Sequence, residues 1–158
     1  MPLARLFPTL FFLFVLGGED PVDHLQRRVL SDADTRLHPL VERIMRIHTT
    51  EEARHLSFAR KYLQRTAPEL GFFRRLQLAI VAPPVLGIMA RLMLLPTGDL
   101  VRHFGVPRSV VRGANRSPAG RQLLKDSVAK TRKLWVELGL VGPFSKVLWK
   151  AVGLWDRP

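Results

Sequence analysis

One segment of the sequence contains no helix breaker over its whole length, and it constrains the fold more than any other feature. It begins near Pro39, which suits the first turn of a helix because the missing N–H of proline is not needed there. It continues to about Thr66 and is the longest helical signal in the chain. No strand pattern of sufficient length appears elsewhere. The sequence therefore predicts an all-α fold.

One face of this predicted helix combines apolar residues with three polar ones. Apolar residues that recur at steps of three and four define the face that a helix turns toward its core. His48, Glu52 and His55 are therefore predicted to lie on the buried face. Glu51 is about 100° away, beside Arg54, and is predicted to face water. The residues reached from Val41 by steps of four and three are Val41, Met45, His48, Glu52, His55, Ala59 and Tyr62.

A glutamate on a buried face needs a partner, because burying an unpaired carboxylate costs several kcal/mol. Two partners fit Glu52. Either His48 or His55 is protonated and pairs with it in a polar cluster, or all three residues bind a metal ion. His48 and His55 are separated by a rise of about 10.5 Å, so an ion level with Glu52 is within reach of each. The chain has no cysteine, which leaves metal binding to histidine and carboxylate groups.

The spacing of these residues narrows the kind of metal site. The zinc-protease pattern His-Glu-x-x-His requires glutamate at position 49, where the chain has Thr49. Glu52 and His55 form instead a Glu-x-x-His pair. In four-helix carboxylate proteins, two helices each contribute such a pair and the other two each contribute one glutamate, and together they bind two iron or manganese ions.

The residues before this helix predict two shorter elements. The apolar run within residues 5–18 resembles a signal peptide, but Pro8 and the lack of an Ala-x-Ala cleavage motif favour a buried core helix. Gly17 and Gly18 are expected to break or kink it. Pro21 suits the first turn of a new helix, predicted from about Glu19 to Leu30.

The residues after this helix predict a more apolar and more basic helical region. Two helices are expected to meet at Pro83 and Pro84, and these prolines with Arg91 argue against a single transmembrane span. Residues 107–118 are predicted to be a loop and residues 118–138 one basic amphipathic helix. A short helix is predicted near the end of the chain.

The net charge of +12 lies mainly in the second part of the chain. Residues 1–66 contain ten Lys or Arg and eight Asp or Glu, whereas residues 67–158 contain fifteen and five. Such an excess favours anionic partners, or it forms a solvated surface. This basic excess permits an alternative function, in which the chain is a non-catalytic helical module that binds a membrane surface or an acidic partner. Nucleic acid is not predicted as a partner, because no phosphate-binding glycine loop or spaced arginine and aromatic array is present.

Several segments together resemble the C-terminal half of the p-aminobenzoate N-oxygenase (AurF-type) family. They are "RIHTTEEARHLSFAR", the preceding "LFVLGGEDPVDHLQRR", the later "GVPRSVV" and the terminal "LGLVGPFSKVLWKAVGL". Members are ferritin-like di-iron proteins that oxygenate arylamines with dioxygen. The resemblance implies that His48, Glu52 and His55 are iron ligands and that Glu52 bridges two ions. It also implies one glutamate from the preceding helix, for which Glu19 is a better candidate than Asp20, since Asp20 is expected to turn toward Asp23 and Arg27.

The resemblance covers only part of the family's ligand set. In the family, a complete site also takes a glutamate and a second Glu-x-x-His from earlier helices, and this chain contains no second Glu-x-x-His. We therefore expect a partial member, with an incomplete ferritin-like bundle in a single helical domain over residues 1–158. Residues 1–66 would contain the metal-ligand helices and residues 67–158 the basic, apolar C-terminal helices. The expected cofactor is iron, with manganese as an alternative.

The incomplete ligand set and the composition lead to expectations about partners and location. The missing ligands would come from a second copy in a homodimer or from the missing N-terminal half. The substrate would be a small aromatic amine, and the location cytoplasmic, with peripheral membrane contact through the basic region as an alternative.

Overall fold

The computed structural model describes residues 7–155, and this range contains α-helices, one short 3-10 helix and no β-strand. The predicted all-α fold is confirmed, and the helices are arranged as a ferritin-like bundle. Residues 5 and 6 of the N-terminal apolar run lie outside the described range. The α-helices are α1 (Pro8–Ser31), α2 (Pro39–Thr66), α3 (Phe72–Leu94), α4 (Gly98–His103), α5 (Arg108–Arg116), α6 (Pro118–Ser127), α7 (Ala129–Glu137) and α8 (Pro143–Ala151).

Helix α1 is continuous through the glycines and the proline that were predicted to interrupt it. Gly17 faces α3, where a Cβ atom would lie at an ordinary contact distance of 3.4 Å from Leu86 and Met89. Pro21 is fully buried. The predicted break was wrong because burial against the neighbouring helices outweighs the hydrogen bond that Pro21 cannot make.

Helix α2 has the predicted bounds, and its N-terminus is capped by His38, whose Nδ1 accepts a hydrogen bond from the Leu40 backbone N–H at 3.3 Å. Its buried face is rotated from the predicted one. Glu52 is buried as expected, whereas His48 and His55 are exposed. The reason is that α1 covers a different line of residues, which consists of Thr49, Glu52, Leu56, Ala59 and Leu63.

Helix α3 crosses the pair Pro83 and Pro84 without ending, so the predicted two helices are one. Pro83 is buried and packs within the core, which offsets the loss of two backbone donors. The segment Phe72–His103 is long and apolar enough to cross a membrane by length and composition. This is weak evidence for a span, because core helices of soluble proteins meet the same criterion.

The C-terminal region differs from its prediction at two places. Residues 107–118, predicted to be a loop, contain α5. The predicted helix over residues 118–138 is divided into α6 and α7 at Val128, whose backbone has φ −111° and whose side chain is fully buried. The short terminal helix is confirmed as α8.

The core joins helices from both ends of the chain. Trp135 of α7 and Trp149 of α8 are fully buried, and the Trp135 indole N–H donates to the Leu78 carbonyl at 3.3 Å. Helix α1 packs against α2 and α3, and α8 packs on α3. The α1–α2 contact brings together the two helices that contain the predicted ligands.

Candidate metal centre

Three predicted ligands meet where α1 crosses α2. Glu19, Glu52 and His55 each have one ligand atom that lies within 4.8 Å of the ligand atoms of the other two. The His55 Nδ1 is 3.6 Å from Glu19 Oε1. Since Glu52 and His55 are three residues apart on one helix, they face the same neighbour, and α1 places Glu19 opposite them.

The two carboxylates of this group are only partly solvated. The side chain of Glu52 is 12% exposed and that of Glu19 is 26% exposed, whereas His55 is 59% exposed. Among the described residues, no hydrogen-bond donor reaches the buried Oε2 atom of either glutamate. The two Oε2 atoms therefore favour a proton shared between the carboxylates or a bound cation.

The pKa of Glu19 reflects this arrangement. Burial and the adjacent carboxylate of Glu52 raise the pKa of Glu19 from 4.5 to about 8. Burial is the largest cause, the hydrogen bond that protonated Glu19 donates to Glu52 is the next, and repulsion by Asp20 adds to it. Without a cation, Glu19 therefore holds a proton at neutral pH.

His48 contacts the same glutamate from the other side. Its Nε2 is 3.2 Å from Glu52 Oε1, and its Nδ1 is 2.9 Å from the Gln26 amide oxygen. If Nδ1 donates its hydrogen to Gln26, the Nε2 lone pair points toward Glu52 and is available to a cation. His48 is thus in contact with Glu52 but outside the closest group of three.

These residues fit a divalent metal ion. Carboxylate oxygen and imidazole nitrogen are suitable ligands for iron and manganese. A cation between Glu19 and Glu52 would satisfy the two Oε2 atoms that lack donors. The geometry thus brings Glu19, Glu52 and His55 together, with His48 beside them.

Comparison with known proteins extends this observation. The sequence profile described as "P-aminobenzoate N-oxygenase AurF" matches residues 2–139, which is most of the chain. The chain belongs to the AurF family. Membership supports a di-iron oxygenase-like relationship, and the family implies a di-iron cofactor.

Curated relatives of this AurF family member come from mycobacteria. Uncharacterized protein MT0908 of Mycobacterium tuberculosis (strain CDC 1551 / Oshkosh) is 36% identical over 157 residues, which is 99% of this chain and 46% of the relative. Uncharacterized protein Mb0909 of Mycobacterium bovis is 35% identical over 157 residues, which is also 99% of this chain and 46% of the relative. The chain therefore spans about half the length of the curated relatives it matches. No solved structure matches it.

The chain also contains a buried acidic residue whose contacts were not predicted correctly. Asp20 is buried and accepts hydrogen bonds from Arg60 of α2 and Thr131 of α7, instead of turning toward Asp23 and Arg27. Asp23 is also buried and accepts a hydrogen bond from Arg27 Nε at 2.7 Å. Steps of three and four from the buried Leu13 reach both aspartates, and this periodicity was the signal available in the sequence.

Proposed function

We propose that Glu19, His48, Glu52 and His55 bind iron, and that the chain functions as part of a di-iron oxygenase related to the arylamine N-oxygenases. One observation supports this most directly. The Oε2 atoms of Glu19 and Glu52 are buried beside His55, and no donor among residues 7–155 reaches them. A divalent ion is the partner that such a set of ligands favours.

Each residue has a separate part in this proposal. Glu52 lies between His48 and His55 along α2, so its carboxylate would bind an ion together with either histidine. Glu19 approaches from α1 and contributes a second negative charge. Iron bound there would supply the redox chemistry with dioxygen that the family name implies. The residues would hold the ion, and Glu19, whose pKa is raised, would lose its proton to bind it.

A groove beside His55 fits an aromatic amine as substrate. The rings of Phe12 and Phe58 are 5.5 Å apart and give the groove an aromatic wall. Arg54 lies at the same groove and could pair with a carboxylate on the ring. We call this feature the His55 groove; its lining consists of Phe12, Val15, Glu19, Arg54, His55 and Phe58.

Metal analysis of matched variants tests the proposal. The protein would be loaded anaerobically with Fe(II), desalted, and assayed for iron by mass spectrometry and for affinity by calorimetry. Glu52→Gln removes a buried ligand charge, so at least ten-fold weaker binding is expected. Glu51→Gln is the control, because Glu51 is an exposed neighbour paired with Arg54. Equal iron binding by the two variants would contradict the proposal.

A second candidate function is attachment to an anionic membrane surface. The segment 98–116 exposes Leu100, Phe104 and Val110. It also exposes four arginines, namely Arg102, Arg108, Arg112 and Arg116. Apolar side chains flanked by arginines suit a bilayer with anionic headgroups.

Liposome sedimentation tests this second function. Binding to vesicles of phosphatidylglycerol and phosphatidylcholine is expected, with a several-fold loss for Arg112→Glu and little change for Arg43→Glu on α2. Equal binding to pure phosphatidylcholine vesicles would exclude the basic region as the cause.

A further inference from the structure

His48 contacts α1 through a residue that the proposed metal site does not include. Its Nδ1 atom is 2.9 Å from the amide oxygen of Gln26 on α1, and its Nε2 atom is 3.2 Å from Oε1 of Glu52 on α2. We infer that Gln26 is a positioning residue, which turns the His48 ring so that Nε2, and not Nδ1, faces Glu52 and a bound cation. This inference rests on the proposed metal-binding function.

The register of α1 against α2 gives the two histidines different partners. Glu19 and Gln26 are seven residues apart on α1, and His48 and His55 are seven residues apart on α2, so each pair lies on one face of its helix. The antiparallel helices place Glu19 beside His55 and Gln26 beside His48. His55 therefore meets a carboxylate, which is itself a candidate ligand. His48 meets a neutral amide, which can orient the ring without adding charge to the site.

Neighbouring contacts between the same two helices hold Gln26 at this place. The guanidinium of Arg27 donates to the Thr49 carbonyl at 3.1 Å, one residue after His48. The Nε of Arg27 donates to the buried carboxylate of Asp23 at 2.7 Å, one turn earlier on α1. Two successive residues of α1 thus contact two successive residues of α2. The amide is therefore positioned by the helix contact before any ion binds, as a supporting group for a ligand must be.

The hydrogen bond determines which ring nitrogen is available to a cation. A neutral imidazole carries one hydrogen, and the nitrogen that carries it has no lone pair for a metal ion. Because the amide oxygen of Gln26 accepts a hydrogen bond, it favours the hydrogen on Nδ1 and leaves the lone pair of Nε2 on the Glu52 side. Without this acceptor, the His48 ring can rotate and the hydrogen can move to Nε2, so fewer molecules present Nε2 to the ion.

Calorimetric binding of Mn(II) to variants at position 26 tests the inference. Gln26→Leu replaces the amide by an apolar side chain, so binding about ten-fold weaker than in the wild type is expected. Gln26→Glu keeps an acceptor oxygen and is expected to bind at least as tightly as the wild type. Gln64→Leu is the matched control, because Gln64 is an exposed glutamine on the same helix as His48, and it should bind like the wild type.

Nitrogen NMR of isotopically labelled histidine rings distinguishes positioning from a general effect on the fold. In the wild type saturated with diamagnetic Zn(II), His48 is expected to bind through Nε2 and to keep its hydrogen on Nδ1. In zinc-saturated Gln26→Leu, this pattern is expected to be lost or mixed with that of an unbound ring. His48→Gln identifies the signals of this ring among those of the five histidines.

The outcomes separate this inference from the proposed function. Equal Mn(II) binding by Gln26→Leu and the wild type contradicts the role of Gln26 and leaves the proposed function intact. Weaker binding without a change in the zinc-bound His48 signals also contradicts positioning, as does a wild type in which His48 binds zinc through Nδ1 or not at all. A wild type that binds none of Mn(II), Fe(II) and Zn(II) contradicts the proposed function and, with it, the role of Gln26.

Discussion

Glu19 and Glu52 place two partly buried carboxyl groups together, and this pair gives the metal-free protein a specific dependence on pH. Because the pKa of Glu19 is raised to about 8, folded Glu19 keeps its proton between about pH 4.5 and 8 while the unfolded chain has lost it. The free energy of unfolding is therefore expected to fall as pH rises through this window. Allowing for the partial exposure of Glu19, the free energy of unfolding is expected to fall by about 1–2 kcal/mol across this window.

Urea unfolding in EDTA at pH 5 and pH 8.5 measures this effect. Glu19→Gln removes the titrating group, so its stability relative to the wild type is expected to increase with pH. Glu51→Gln, which changes an exposed carboxylate, should follow the wild type at both pH values. A constant difference between Glu19→Gln and the wild type would show that Glu19 does not titrate in this window.

The spacing of residues on one helix allowed part of this site to be predicted. Glu52 and His55 lie three residues apart on α2, and Glu19 reaches them from α1, as expected. The exposure of His48 and His55 was not predictable, because it depends on the rotation of α2 against α1. Asp20 was misplaced because its partners Arg60 and Thr131 are 40 and 111 residues away.

At the level of elements, the buried contact of Asp20 with Arg60 and Thr131 connects α1, α2 and α7. Asp20→Ala leaves the partly buried guanidinium of Arg60 without its carboxylate, so we expect a loss of about 3 kcal/mol in the free energy of unfolding. Chemical denaturation measures this loss. Asp34→Ala, in the exposed loop between α1 and α2, is the control and should change stability by less than about 0.5 kcal/mol. A similar small effect of Asp20→Ala would contradict the structural role of this contact.

Two helix-interior glycines give a second prediction at this level. Gly17→Ala and Gly87→Ala each gain up to about 1 kcal/mol of helix propensity. A Cβ at Gly17 meets its neighbours at an ordinary distance of 3.4 Å, whereas one at Gly87 lies 3.0 Å from Val152 Cβ. Thermal unfolding should therefore show Gly17→Ala to be more stable than Gly87→Ala. The reverse order would contradict the described packing of α1 and α8 on α3.

The same contacts explain which element boundaries were predictable. Pro39 and Thr66 bound α2 correctly because no breaker lies between them. Local signals at Pro21 and at Pro83 and Pro84 predicted ends that do not occur, since these residues are held in helices by burial against distant parts of the chain. Tertiary packing of this kind is not visible in a local window of sequence.

At the level of the whole molecule, the chain combines a helical core with the group of Glu19, Glu52 and His55 near its surface. The all-α fold was predictable because helical periodicity is local, and the family was predictable from the resemblance of several segments. The source of the remaining ligands was not, because the sequence alone permits both a second copy and a missing N-terminal half. The chain spans 46% of its curated relatives, so the completion of this site is the question that follows from the structure.

Anomalous X-ray scattering from crystals loaded anaerobically with Fe(II) tests the metal site most directly. Data collected on both sides of the iron absorption edge locate the ion without reference to activity. We predict an anomalous peak about 2.0–2.3 Å from oxygens of Glu19 and Glu52 and from a nitrogen of His55. The absence of a peak there, or iron bound only at other histidines such as His38 or His103, would contradict the proposal that Glu19, Glu52 and His55 bind iron.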